Sequence, residues 1–303
     1  MGSAVDGTLL LTVKTIDTKT GRCVAEEQPI VTLAVPAAPA VKALPVGAGV
    51  QDGRFALQRD GKLLLTADTE GTLLYRASTD NDTDVYFRRP LTPWQNQRTE
   101  VVSCKGIANG YEVVTRLTNG KGCYTVTDTY QGTDKGVLVT SVLHCERGSR
   151  TVPRFGKVFR LDEIFDTVTY FARSGESYCD MKDQFCVQQV TCPVSAMTEP
   201  NIRPQESGNR MDCTTATLTD GQLKVTFEAV GKPFELAVKP YTDRALTGMK
   251  HREDEVRTGT YVTVQAFQQG IGTGSCGPAI MPEFCYELKQ DCTLQFLIRV
   301  EEV

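Results

Sequence analysis

The sequence predicts an antiparallel all-β protein, and three observations carry that expectation. Alternating or β-branched runs recur through its 303 residues, in the period-two pattern of strands with one buried face. Turn chemistry suited to tight hairpins separates many of them. Helix signals are few, since capping residues seldom precede a run with helical spacing.

The first run is Thr8 to Ile16. Arg54 to Gln58 and Lys62 to Ala67 follow, joined by Arg59-Asp60-Gly61, where aspartate and glycine tolerate the positive φ of a two-residue hairpin. Tyr111 to Leu117 runs into Asn119-Gly120, and Gly136 to Leu143 comes next. Thr219-Asp220-Gly221 introduces Leu223 to Val230; Thr260 to Gln268 closes on Gln268-Gln269-Gly270, expected to be another tight turn, and Thr293 to Val300 is last. Phe284 to Leu288 also alternates. The one expected helix is short: Thr242 caps Asp243, Arg244, Ala245 and Leu246, with closure near Gly248. Between Val31 and Val50 prolines and small residues make a continuous buried strand difficult, so a domain boundary is expected there. Residues 1–48 hold only about two or three strands, too few to close a sandwich. They are expected to be the end of a domain that begins elsewhere, with residues 49–303 as the main domain.

Charge and cysteine usage exclude several classes of function. Lys and Arg total 33 against 37 Asp and Glu, a net charge of −4, and no basic stripe could track phosphates, so no nucleic-acid partner is expected. No apolar run approaches the ~20 residues a membrane span requires, and no export signal opens the chain, so a soluble, cytoplasmic protein is expected. Eleven cysteines, an odd number in a large chain, read as reduced thiols rather than a disulfide framework. Zinc is not expected: there is no CxxC, and the only histidines are His144 and His251.

Local motifs point to no catalysis by themselves. Gly272, Gly274 and Gly277 satisfy GxGxxG, but Pro278 and Pro282 follow where a dinucleotide site needs a helix to begin. His144 and Cys145 are neighbours on one strand and point to opposite faces, so they cannot form a nucleophile and base pair. The carboxylates Asp80, Asp82, Glu176, Asp180, Glu206, Asp212 and Glu283 cannot be paired from sequence alone. Three clusters nevertheless combine charge with amide and hydroxyl side chains as tightly networked or sugar-facing loops do: Tyr75 to Asp82, Arg173 to Asp180 and Ile202 to Asp212.

Those clusters, in this order and spacing, resemble the C-terminal domain of the β-galactosidases of glycoside hydrolase family 2. Arg76-Ala77-Ser78-Thr79-Asp80-Asn81-Asp82 is similar to the family's R-A-P-T-D-N-D, and Pro153-Arg154-Phe155-Gly156 to its P-R-hydrophobic-G. Tyr170 to Lys182, with Glu176, Tyr178 and Asp180, resembles W-Y-G-R-G-P-x-E-N-Y-x-D-R-K, one residue shorter. Arg203 to Asp212, with Glu206, Asn209 and Arg210, matches R-P-Q-E-N-G-N-R-T-D except at Ser207 and Met211. Pro240-Tyr241-Thr242 with His251 resembles P-Y-T and its following histidine, and Gly270 to Pro278 the loop G-x-G-G-x-D-S-W-G-P. The likeness covers roughly residues 50–303, and residues 1–48 look like the last strands of a preceding immunoglobulin-like domain.

The resemblance implies a large antiparallel super-sandwich of the galactose-mutarotase-like type, packed against a TIM barrel that is not in this chain. Both catalytic carboxylates and the catalytic magnesium ligands of the family belong to that barrel. No catalytic residue, metal or cofactor is therefore expected here, and the partners implied are the barrel, covalent or separate, a galactoside sugar, and further subunits of an oligomer. The loop Gly272, Thr273, Gly274, Ser275 and Cys276 would complete the sugar pocket's rim. Arg76, Asp80, Asn81, Asp82, Glu176, Tyr178, Asp180, Arg203, Glu206, Asn209, Arg210 and His251 would hold loops and packing. The pattern breaks where it matters: Cys276 stands in the place of the family's tryptophan, and a sulfur offers no ring face for a sugar. Two other readings stand beside this one, a stand-alone carbohydrate-binding module and a mutarotase-like epimerase using His144 and His251.

Overall fold

The computed structural model describes residues 7–82, 91–273 and 279–303. Strands β1 (Leu9–Ile16) and β2 (Cys23–Thr32) form a hairpin of their own. After β3 (Val41–Lys42) come β4 (Ala48–Gln51), β5 (Arg54–Arg59), β6 (Lys62–Leu73) and the one-turn helix α1 (Thr92–Gln95). Four long strands follow: β7 (Arg98–Ile107), β8 (Gly110–Asn119), β9 (Gly122–Thr133) and β10 (Val137–Gly148). The next strands are β11 (Arg154–Leu161), β12 (Thr167–Arg173), β13 (Val187–Pro193), β14 (Arg210–Cys213), β15 (Thr215–Thr219), β16 (Leu223–Ala229) and β17 (Phe234–Lys239). Helix α2 (Asp243–Gly248), β18 (Thr260–Gln268) and β19 (Cys292–Glu302) complete the chain.

The all-β antiparallel expectation is met. One sheet of ten strands runs β13-β12-β15-β16-β19-β10-β9-β8-β7, with β3 paired to β9; a second, of seven, runs β14-β17-β18-β11-β6-β5-β4. Every pairing in both is antiparallel. Side chains from the two sheets meet in a shared core, which is how two half-apolar sheets remove their inner faces from water. Phe159 of β11 contacts Phe227 of β16 and Phe296 of β19 at ring-centroid distances of 5.7 and 5.8 Å. Phe55 of β5 stacks on Tyr130 of β9 at 4.6 Å. The core also holds an ion pair between the sheets: Lys157 Nζ lies 2.7 Å from Asp128 Oδ2, with Thr72 and Ser141 supplying further hydrogen bonds. Trp94, the only tryptophan, is buried in α1 against Tyr124.

Local chemistry accounts for the joints. Asp60 and Gly61 take positive φ values of 51° and 76° in the β5–β6 turn, as the hairpin signal requires. Thr242 caps α2, its Oγ1 accepting from Ala245 N at 3.1 Å. Two expectations are corrected. Gln268-Gln269-Gly270 is not a hairpin turn, because β18 is followed by β19, which belongs to the other sheet. The Gln268 side chain instead accepts from Arg154, and Gln269 N donates to Pro153 O. Phe284 lies in a single helical turn, Pro282–Phe284, not in a strand, since the proline sets φ for that turn.

Candidate functional site

Two of the three loop clusters meet the segment that leaves β18, and the third is laced to the second. In the first, Arg76 is wholly buried and grips Asp82 with both terminal guanidinium nitrogens, Nη1 and Nη2, at 2.6 and 3.0 Å. Asp82 Oδ2 also accepts from Thr79 N and Oγ1, which closes the tight turn at Asp80–Asp82. A paired, planar contact of this kind fixes orientation as well as distance. Asn81, on the same turn, donates to Ile271 O at 2.7 Å, and Arg76 Nη2 reaches Gly270 O at 3.4 Å.

The second and third clusters are laced together. Ser177 N donates to Asn209 O, Asn209 Nδ2 donates to Ser177 O, and Met211 N donates to Ser177 Oγ. Glu176 Oε2 accepts from Gly208 N at 2.8 Å; burial raises the Glu176 pKa and that amide partly offsets it. Gly208 has no substitute, having φ of +86° and a Cβ position only 2.6 Å from Met197 O. Arg210 bonds the Tyr170 hydroxyl and lies over its ring. Tyr178 is wholly buried, and its pKa is raised chiefly by that burial. Asp180 Oδ2 accepts from Gly272 N at 2.7 Å and Thr273 N at 3.2 Å.

Beneath the loops lies a closed ring of four buried charges. Arg154 contacts Glu206 at 3.1 Å and Asp243 at 3.0 Å; Lys239 contacts the same two carboxylates at 2.7 and 2.8 Å. Burial alone would raise the pKa of Asp243, but Arg154 and Lys239 together hold it well below the usual carboxylate range. Each oxygen of Glu206 and Asp243 is engaged by a cation, so the ring holds β11, β17, α2 and the third loop together and presents no free acid or base. Removing one member would leave an uncompensated buried charge, a loss of about 3–5 kcal/mol. Asn209 extends the network to Glu235 (2.7 Å) and to Gln265 (2.7 Å).

The structure therefore brings together Arg76, Asn81, Asp82, Glu176, Tyr178, Asp180, Glu206, Asn209 and Arg210, with Gly272 and Thr273. Asp80 and Arg203 lie at the exposed margin, 3.8 Å apart, where Asp80 N donates to Gln205. His251 is exposed and caps the turn Arg252–Asp254, and among the described residues no hydrogen bond or ion pair joins it to the cluster. His144 is on the outer surface of the ten-stranded sheet against Asp291, and no described contact joins it to His251. Gly274, Ser275 and Cys276 lie outside the described residues.

Arg154, Glu235, Lys239, Gln265 and Gln268 were not foreseen as members of the site. A signal for two of them is present: Glu235 and Lys239 are charged positions in an otherwise apolar strand whose every residue is buried, and a buried charge requires a partner. An open depression of about 450 Å³, lined by Cys179, Asp180, Met181, Lys182 and Phe284 among others, adjoins the emerging segment.

Residues 50–298 match the family described as the β-galactosidase small chain. The β-galactosidase of Lactobacillus delbrueckii subsp. bulgaricus is 28% identical over 234 residues, which is 74% of this chain and 23% of that protein. That of Staphylococcus xylosus is 28% identical over 216 residues, 68% of this chain and 22% of the relative. This chain thus spans under a quarter of the length of these relatives. Among solved structures, a galactose mutarotase-like protein from Lactobacillus casei is similar at 11% identity and a TM-score of 0.42, over 84% of this chain and 99% of that one. A putative aldose 1-epimerase from Escherichia coli is similar at 10% identity and a TM-score of 0.38, over 98% of this chain and 100% of that one. By the match over residues 50–298, the chain belongs to the β-galactosidase small-chain family.

Proposed function

We propose that this chain is the C-terminal part of a retaining glycoside hydrolase that acts on β-galactosides, and that it supplies part of the rim of a sugar pocket. The observation that carries the reading is that two family-like loops grip one emerging segment, 270–273, with the third laced to the second, in a chain whose residues 50–298 match the small chain. In this reading the two carboxylates of the double displacement, and the magnesium, belong to a TIM barrel outside this chain. Among the described residues no group of three or more His, Cys, Asp or Glu side chains could hold a metal. The buried carboxylates Glu206 and Asp243 are committed to cations, which supports a positioning role over a hydrolytic one. Within residues 1–48 the β1–β2 hairpin is the part that belongs to an immunoglobulin-like domain, since β3 already pairs with β9, and the assembled enzyme is cytoplasmic and oligomeric.

The test is hydrolysis of a chromogenic β-galactoside by this chain alone and after co-expression with a barrel-containing portion. Activity in the mixture only is the expected result. Activity from the chain alone would overturn the reading and direct the search to its own carboxylates. A stable complex without activity would remove β-galactosides as the substrate class and make Cys276→Trp the first substitution to examine.

A further inference from the structure

We propose that Asp180 is the positioning residue for Gly272 and Thr273, where the chain enters the sugar-facing loop, an inference that rests on the rim reading above. Asp180 Oδ2 is the common acceptor of two consecutive amides, Gly272 N at 2.7 Å and Thr273 N at 3.2 Å. Successive backbone N–H groups that turn toward one anion form a cradle, and bonds to an ionised acceptor are stronger than neutral ones. The other oxygen, Oδ1, is buried and has no hydrogen-bond partner among the described residues, where these two amides are what stabilises the carboxylate through hydrogen bonding. The contact is close enough to select the backbone opposite it. A Cβ on Gly270 would lie 2.5 Å from the Asp180 carboxyl carbon and from Oδ2, so the segment reaches its place only as glycine.

Asp180 is itself held firmly. Met181 N donates to Tyr178 O, closing a turn on a wholly buried tyrosine. Cys179 Sγ contacts Gln268 O and Phe284 O, and Phe284 O also accepts from Gly270 N. From the opposite side Asn81 holds Ile271 O. The chain is thus gripped at 270, 271, 272 and 273 just as it passes from buried Gly270 to exposed Gly272. The clamp sets the place of Gly272 and Thr273, and a displacement of about 1 Å at such a support is enough to weaken a binding constellation.

The experiment has two readouts. Amide hydrogen exchange on the full chain is measured first, at Gly272 and Thr273. Protection is expected in the wild type, and exchange there at the unprotected rate would overturn the proposal without any variant. Asp180→Ala is expected to speed exchange at both amides by about tenfold or more, the effect of losing a charge-assisted hydrogen bond, while Asp180→Asn, which keeps an acceptor oxygen, recovers part of it. Unchanged exchange in a folded Asp180→Ala chain would overturn the clamp. In the enzyme assembled with its barrel portion, Asp180→Ala is expected to raise KM for a β-galactoside about tenfold with kcat within about twofold, the pattern of lost ground-state binding, and Asp180→Asn to restore part of it. Faster exchange with KM unmoved would overturn the rim reading and the proposal built on it, and would leave Asp180 as an anchor of local structure only.

Discussion

Glu235 lies on β17 with both carboxylate oxygens engaged: Asn209 Nδ2 donates to one at 2.7 Å and Gln268 N to the other at 3.3 Å. Burial is the largest influence on it and outweighs those donors and the nearby Arg154, with Asp212 adding to the rise, so its pKa is pushed from 4.5 up to about 7. A carboxyl that binds its proton more tightly in the folded state than in the unfolded one weakens the fold as pH rises between those two values. Its contribution is flat below the first and above the second. The loss across that window is of order 3 kcal/mol. Glu235→Gln is therefore expected to remove this part of the pH dependence. Urea denaturation of both proteins at about pH 5 and about pH 8 checks it, and equal slopes in the two would show that Glu235 does not titrate in this range.

Helix α2 shows how a short element can be held at one end by chemistry legible in the sequence and at the other by packing. Its cap, Thr242, was visible in the chain, whereas the role of Asp243 in the four-charge ring was not. Thr242→Ala is expected to cost about 1 kcal/mol by orphaning the Ala245 amide, read as a lower denaturant midpoint. No change would mean that the ring alone fixes the helix start. The strands divide in the same way. Half-buried β8 and the Asp60-Gly61 hairpin carry alternation and turn chemistry that can be read directly. Strand β17 is buried on both faces and β7 is exposed along nearly its whole length, so neither alternates and neither was foreseen. Gln268-Gln269-Gly270 misled for a related reason, since turn-like composition also suits a segment whose side chains and amides are taken up by distant partners.

On the scale of the whole molecule, the hairpin of β1 and β2 stands apart from the two-sheet body. Leu9, Leu11, Val13, Ile16, Val24 and Ile30 are exposed on it, and two strands alone are marginally stable in water. One side chain ties it to the edge of the ten-stranded sheet: Gln28 Nε2 donates to Val187 O at 3.0 Å, and Val187 N donates to Gln28 Oε1 at 2.7 Å. Gln28→Ala is expected to speed proteolytic cleavage within residues 9–32 several-fold while the melting of the main body stays unchanged. Limited proteolysis followed by mass mapping distinguishes the two effects, and unchanged cleavage would show that the hairpin is held by something other than Gln28.

The sequence by itself determined the antiparallel class, several turns, the cap of α2 and the three loops that carry the family likeness. All of these rest on interactions between residues close in the chain or on runs of local composition. Only the tertiary structure decided that Arg154, Lys239, Glu206 and Asp243 close a ring, that Lys157 and Asp128 pair between sheets, that His251 stands aside, and that Asp180 meets the amides of Gly272 and Thr273. The physical reason is burial: a charge or amide far from water must find a complementary group, and which group it finds, 33 to 92 residues away for Lys239 with Glu206 and for Asp180 with Gly272, is set by how two sheets pack and not by any local pattern.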